Sequence, residues 1–148
     1  MYDVRSMEAS EILIEKLKAF EGFRREAYRD AAGVLTIGYG HTGKDVRQGD
    51  CISKYGAEQL LMADVGEHEA AVRRLRVART QGQFDALVSF AFNLGIGRLH
   101  GSTLLKTIRN GGSKAQITRE FKRWVYADGK RLPGLVKRRE WEAKRFFE

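Results

Sequence analysis

Residues 27–40 run Ala27-Tyr28-Arg29-Asp30-Ala31-Ala32-Gly33-Val34-Leu35-Thr36-Ile37-Gly38-Tyr39-Gly40. Two short β-prone runs flank Ala31-Ala32-Gly33, which is the signature of a hairpin. The glycines at 33, 38, 40 and 43 mark turns or points of close backbone approach. If Ala31, Ala32 and Gly33 form a three-residue loop, Asp30 faces Val34 and Thr36 lies two residues further along on the same side of the pleat. That diagonal spans about 7–8 Å between backbones, room for a water between hydroxyl and carboxylate. A two-residue loop would put Thr36 on the opposite face, so the turn decides whether these two side chains can act together.

On the N-terminal side of this hairpin, residues 10–20 read as a helix. Ser10 can cap it, and Leu13, Leu17 and Phe20 form one apolar stripe that stops at Glu21-Gly22. On the other side a long helical pattern runs from Ser53 to about Leu75, with Ala57, Leu60, Leu61, Val65, His68, Val72 and Leu75 on one face. Such a helix is about 33 Å long. Thr80 and Gln83 make a capping-box pair ahead of Phe84, Leu87, Val88, Ala91 and Phe92, predicting a helix that is apolar on most sides and ends at Gly95. Ser102 and Ser113 each precede a further short helical pattern, and Pro133 opens a last helix over about 134–147. The fold class is therefore α+β, predominantly α, and residues 1–148 form a single domain. A hairpin lobe over about 21–52 is joined by a connecting helix over about 53–77 to a helical lobe over about 78–148, which also takes the N-terminal helix 10–20.

Composition narrows the functional classes. At 148 residues, 43% apolar and 31% charged, the chain fits one globular domain rather than a disordered or membrane-spanning protein. Its lone cysteine, Cys51, excludes an internal disulfide and reads as a small hydrophobe ahead of the long helix. Residues 1–74 hold 11 basic and 13 acidic side chains, whereas residues 75–148 hold 16 and 6, so the net charge of +8 splits into −2 and +10. A basic half implies an anionic partner: nucleic acid, an anionic membrane face or an anionic wall polymer. Met1 to Glu8 carry two acids and no apolar run, unlike a secretory leader, and no stretch reaches the ~18 apolar residues of a membrane span.

Glu21 ends the first helix and Asp30 stands beside the first β run, so the two carboxylates could flank a glycosidic bond as acid and base. With 19 acidic residues in the chain, spacing alone favours solvated surface for both. His41, after Gly38-Tyr39-Gly40, reads as a structural hydrogen-bonding residue that pins the hairpin. No second His or Cys sits at ligand spacing, and no metal is expected. Trp124 reads as core. Lys137-Arg138-Arg139 has two readings: a charge that reaches Glu21 or an anionic polymer, or a solvated basic face paired with Glu140 and Glu142.

Glu21-Gly22, Tyr28-Arg29-Asp30, Gly33 and the run Leu35-Thr36-Ile37-Gly38-Tyr39-Gly40-His41-Thr42 resemble the phage-type lysozymes, the muramidases that bacteriophages use as endolysins. Gln83 to Gly95, followed by Ser102-Thr103-Leu104-Leu105, is independently similar to that family's central helix. Leu132 to Val136 with Arg138 and Arg139 makes a third match, so the likeness spans about residues 10 to 145. It implies a lysozyme-like fold and a catalytic set of glutamate, eight residues, aspartate, five residues, threonine, which this chain supplies as Glu21, Asp30 and Thr36. It implies hydrolysis of the β-1,4 bond between N-acetylmuramic acid and N-acetylglucosamine in peptidoglycan, with inversion. In that scheme Glu21 protonates the leaving oxygen while Asp30 and Thr36 hold and activate the attacking water.

By the same resemblance Ser89 and Asn93 face the sugars, with a capping role for Asn93 as the alternative, and Arg138 is a further substrate contact. The expectation is a monomer without cofactors, with no nucleic-acid partner. It would be held in the host cytoplasm until a holin releases it to the periplasm or cell wall. Two other classes stay open at this point. A basic helical nucleic-acid-binding module would explain the +10 half, with Phe121, Trp124 and Tyr126 among its cations, but not the hairpin. A catalytically inactive wall-binding protein would not need Glu21, Asp30 and Thr36 intact.

Overall fold

Ser10 caps the first helix of the computed structural model, α1 (Glu11–Glu21), by accepting the Leu13 N–H on its hydroxyl at 3.2 Å. The structure describes residues 6–148, so most of the N-terminal stretch read for a leader lies outside the described residues. Leu13 and Leu17 of α1 are completely buried. The helix stops because Gly22 adopts φ +70° while its N–H closes on the Lys18 carbonyl at 2.9 Å, an ending that favours glycine.

A three-stranded antiparallel sheet follows, ordered β1 (Arg24–Arg29), β2 (Leu35–Gly38), β3 (His41–Thr42). Tyr28 lies opposite Thr36 and Arg29 opposite Leu35, and the Asp30 N–H donates to the Val34 carbonyl at 3.0 Å. The loop is thus the three residues Ala31, Ala32 and Gly33, and Thr36 falls on the Asp30 side of the pleat. Between Arg24 and Tyr28 the register slips. There β1 turns to the segment around Cys51 instead: Ala27 N–H donates to the Asp50 carbonyl and Ile52 N–H to the Arg25 carbonyl, both at 2.9 Å. Cys51 is exposed on that segment, which corrects the reading of it as a small hydrophobe ahead of the long helix: its backbone is engaged in strand pairing and its side chain faces solvent.

The long helix α2 (Lys54–Leu75) has 22 residues and buries Ala57, Leu61, Val65 and Val72. By contact the chain forms two compact units, residues 14–67 and residues 68–148 with the segment up to Leu13, so the division falls inside α1 and α2.

Within the second unit, α3 (Gln81–Leu94) is enclosed, with Phe84, Ala86, Leu87, Val88, Phe90 and Ala91 all at zero exposure. Each of the larger side chains contributes roughly 1.5–3 kcal/mol by burial. Thr80 accepts the Gln83 N–H at 3.1 Å, but Gln83 returns its bond to the Arg79 N–H at 2.9 Å, one residue before the position a capping box requires. Around α3 stand α4 (Ile96–His100), α5 (Thr103–Arg109), α6 (Lys114–Lys122) and α7 (Pro133–Phe146), with Pro133 at the helix start. Phe90 meets Phe121 and Trp124 edge-on at 6.0 and 5.5 Å, so the half-buried Trp124 packs on a core ring from its edge. Gly82 lets α3 lie against the end of α7, where a β-carbon would come 2.3 Å from the Arg145 carbonyl. A small ribbon of β4 (Tyr126–Ala127) and β5 (Lys130–Arg131) was not read from the sequence; it turns on Asp128-Gly129, both at positive φ. Among the described residues no helix is long and apolar enough to cross a membrane.

Candidate active site

Asp30 closes the hairpin end. Its Oδ1 accepts the backbone N–H groups of Ala32 and Val34, each at 2.9 Å, so one oxygen is committed to holding the turn. No described residue donates to its Oδ2. Arg29 braces the same loop by donating to the Gly33 carbonyl at 2.9 Å. Thr36, buried on β2, donates its hydroxyl proton to the Val34 carbonyl at 2.9 Å, which leaves the oxygen lone pairs as what it can offer. An acceptor carboxylate oxygen and an acceptor hydroxyl on one face of a hairpin suit a water that donates to both.

Glu21, half-buried at the end of α1, sets its carboxyl against Gly40 in the turn between β2 and β3. That turn is held by His41, whose Nδ1 stands 2.7 Å from Asp64 Oδ2 on α2 and whose Nε2 stands 3.0 Å from Asp45 Oδ2. Burial of the ring opposes its protonation, yet the hydrogen bonds and charges of Asp64 and Asp45 outweigh that, and His41 titrates above its ordinary range. His41 in turn holds the Asp45 carboxyl below the usual carboxylate range. The structural reading of His41 is therefore the right one for these contacts.

The other three predicted site residues gather in residues 68–148. Ser89 is completely buried and donates to Glu142 Oε2 at 2.6 Å, and its carbonyl accepts from Arg138 Nη2 at 3.1 Å. Asn93, half-buried, accepts on Oδ1 from Arg139 Nη2. Arg139 Nε lies 3.1 Å from Glu142 Oε1 and Arg138 Nε 3.5 Å from Oε2, while the Arg139 guanidinium stacks over the Phe90 ring at 5.2 Å. Burial pushes the Glu142 carboxyl upward against the pull of Arg139, Arg138 and the Ser89 hydroxyl. Arg138, Arg139 and Glu142 are all buried, so the reading of this cluster as a solvated basic face is corrected. Three- and four-residue spacing on α7 aligns them on the face that packs against α3.

The Phage lysozyme family model matches residues 18–142. A relative from Bacillus phage B103, named Endolysin, is 46% identical over 95% of this chain and 54% of its own length. The chain thus spans about half the length of that relative. A second Endolysin, from Acyrthosiphon pisum secondary endosymbiont phage 1, is 41% identical over 96% of this chain and 99% of its own length. This chain belongs to the phage lysozyme family. Its lysozyme-like fold is matched by the solved endolysin from Escherichia coli O157:H7 phage FAHEc1, at a TM-score of 0.85, 38% identity and coverage of 97% of this chain and 95% of that one.

Two features of this family member were not legible in its sequence. Asp64 pairs with His41 from 23 positions away, and nothing local to α2 marks it. The sequence marks Gly40 as a point of close approach, but nothing local to it indicates that Glu21 is what approaches. Among the described residues no group of three or more His, Cys, Asp or Glu side chains is placed to hold a metal ion.

Proposed function

We propose that this chain is a phage-type endolysin that hydrolyses the β-1,4 bond between N-acetylmuramic acid and N-acetylglucosamine in bacterial peptidoglycan, with inversion at the anomeric carbon. The observation that carries this reading is the hairpin pair. Among the described residues nothing donates to Asp30 Oδ2, while Thr36, on the same side of the pleat, presents acceptor lone pairs. A water donating one hydrogen to each would turn a lone pair toward the sugar, and Asp30 would take its proton as the bond forms. Glu21 protonates the departing glycosidic oxygen, so that it leaves as an alcohol. Inversion needs carboxyls about 6.5–9.5 Å apart, enough to admit that water.

Of the residues assigned to sugar binding, Asn93 has the exposure to touch substrate directly. Ser89 and Arg138 act from the interior, by fixing Glu142 and the α3 backbone behind it. The +10 half favours capture of an anionic wall, so activity on wall preparations should fall as salt shortens the Debye length toward about 8 Å. We further read the chain as a monomer that depends on a phage holin to reach the wall. Prompt lysis by the full natural reading frame, without any other membrane lesion, would contradict the holin step.

The deciding experiment is product analysis on purified peptidoglycan. Hydrolysis yields new reducing-end N-acetylmuramic acid, initially as the α-anomer by NMR. Products with 1,6-anhydro ends, or no saccharide release at all, would overturn the assignment, and duplex DNA bound more tightly than peptidoglycan would do the same.

A further inference from the structure

The Glu21 carboxyl occupies a particular volume. A β-carbon built on Gly40 would stand 2.6 Å from Glu21 Oε1, 3.3 Å from its Cδ and 3.5 Å from its Cγ. The end of the glutamate therefore fills the space that any other residue at position 40 would claim. The backbone of this turn is held on both sides. Tyr39 is buried with its ring 5.5 Å from that of Phe23, and His41 is gripped by Asp64 and Asp45. Gly38 lies so close to α2 that its own β-carbon would come 2.9 Å from Ala57 Cβ. A methyl group forced in at position 40 meets the carboxyl end of Glu21 before anything else, so the collision falls on the acid.

We propose that Gly40 is the seat of the Glu21 carboxyl, a positioning residue whose bare Cα leaves the acid the volume from which it presents its proton. This rests on the reading of Glu21 as the general acid. The seat acts by exclusion. It covers one flank of the carboxyl with carbon and leaves no room for a side chain that would push the acid off its line to the glycosidic oxygen. A general acid must come within about 2.6–3.2 Å of the atom it protonates. A misplacement of 1 Å costs on the order of 10²-fold in rate. The residue at position 40 thus governs catalysis more than folding.

The test compares Gly40→Ala with Gly49→Ala. Both glycines hold positive φ, +77° and +89°, so both alanines carry similar backbone strain, but a β-carbon at Gly49 meets nothing within 4 Å. Thermal unfolding should show similar small losses for the two variants. On purified soluble glycan strands, kcat of Gly40→Ala should fall by about 10- to 100-fold with KM nearly unchanged, and Gly49→Ala should retain wild-type kcat. A rescue arm adds Glu21→Asp, one methylene shorter. In the double variant the shorter acid vacates the contested volume, so its loss should be smaller than the product of the two single losses. Wild-type kcat in Gly40→Ala, strictly multiplicative losses in the double variant, or failure of Gly40→Ala to fold would each overturn the seat. Glu21→Gln separates the two levels. If it stays active the acid assignment itself falls; if it is inactive while Gly40→Ala is fully active, only the seat does.

Discussion

Asp30, in residues 14–67, and Asp85 and Glu142, in residues 68–148, are carboxylates that donors meet to different degrees. Asp85 is completely buried and accepts from Ser10 N–H at 3.1 Å, the Ser10 hydroxyl, Gln81 Nε2 at 2.8 Å, and Arg145 Nε and Nη2 at 3.0 and 2.8 Å. Glu142, equally buried, faces two guanidiniums and a hydroxyl. In the hairpin, by contrast, Asp30 spends one oxygen on its turn and keeps the other in reserve. Glu21 rests against the bare Cα of Gly40. The desolvation of a buried carboxylate must be offset by hydrogen bonds or opposing charge, and at Glu142 Oε1 it is the Arg139 charge 3.1 Å away, not a hydrogen bond, that does so. On the proposed reading Asp30 is the carboxylate that handles a proton, and the hairpin holds it through two backbone amides on one oxygen.

The contrast predicts that removing charge from one region costs rate and from the other costs stability. Glu21→Gln and Asp30→Asn should each lower kcat by roughly 10²–10⁴-fold, the usual range for a lost acid or base, with melting temperature unchanged. Asn at position 30 keeps an oxygen for both turn amides, so only the reserve oxygen is altered. Glu26→Gln, an exposed neighbour on β1, should leave kcat as it is, measured on the same glycan strands. A silent Glu21→Gln beside an inactive Glu26→Gln would move the acid to another carboxylate.

The reverse holds for the second unit. Glu142→Ala strands two buried guanidiniums and should cost about 3–5 kcal/mol in urea unfolding, while kcat of the folded fraction falls far less than in Glu21→Gln. Asp85→Asn gives up the charge that binds Arg145 and should cost about 1.5–3 kcal/mol by the same measurement. An unfolding midpoint unmoved in both variants would erase the distinction between the two regions.

The smallest effect concerns pH and the turn that seats Glu21. Because the folded-state pKa of His41 is raised, its pairing with Asp64 and Asp45 adds stability in full below about pH 6.5. That contribution is lost as pH climbs through the raised value. The melting temperature should therefore decline on that rise in the wild type and decline less in His41→Gln. Parallel profiles for the two proteins would show that the clamp does not act through protonation.

Local chemistry made much of this legible in advance. Ser10, Ser102, Ser113 and Pro133 start helices because capping and a fixed proline φ act over one turn. The Asp30–Thr36 relation is legible only up to a choice of loop length: the two-residue period of a strand is a property of the chain, but the pairing that makes the loop three residues long is seen in the structure. Spacing could nominate Glu21, Asp30 and Thr36 only with the help of a family resemblance, since a carboxylate pair alone says little. Burial was harder to read. Arg138, Arg139 and Glu142 look like a solvated face because charge is written in the sequence, whereas the partners that make its burial tolerable are on α3.

What the sequence by itself determined is thus most of the helices and their caps, the presence of the hairpin, and the resemblance to the phage lysozyme family; the loop length and α4 came from the structure. Tertiary structure alone decided which distant groups meet: Asp64 with His41, Ser89 with Glu142, and the Glu21 carboxyl with the empty side of Gly40. The physical reason is range. Caps, turns and strand alternation are settled within about four residues, while a buried charge or a seated carboxyl depends on contacts between elements that only the packed chain brings within hydrogen-bonding or van der Waals distance.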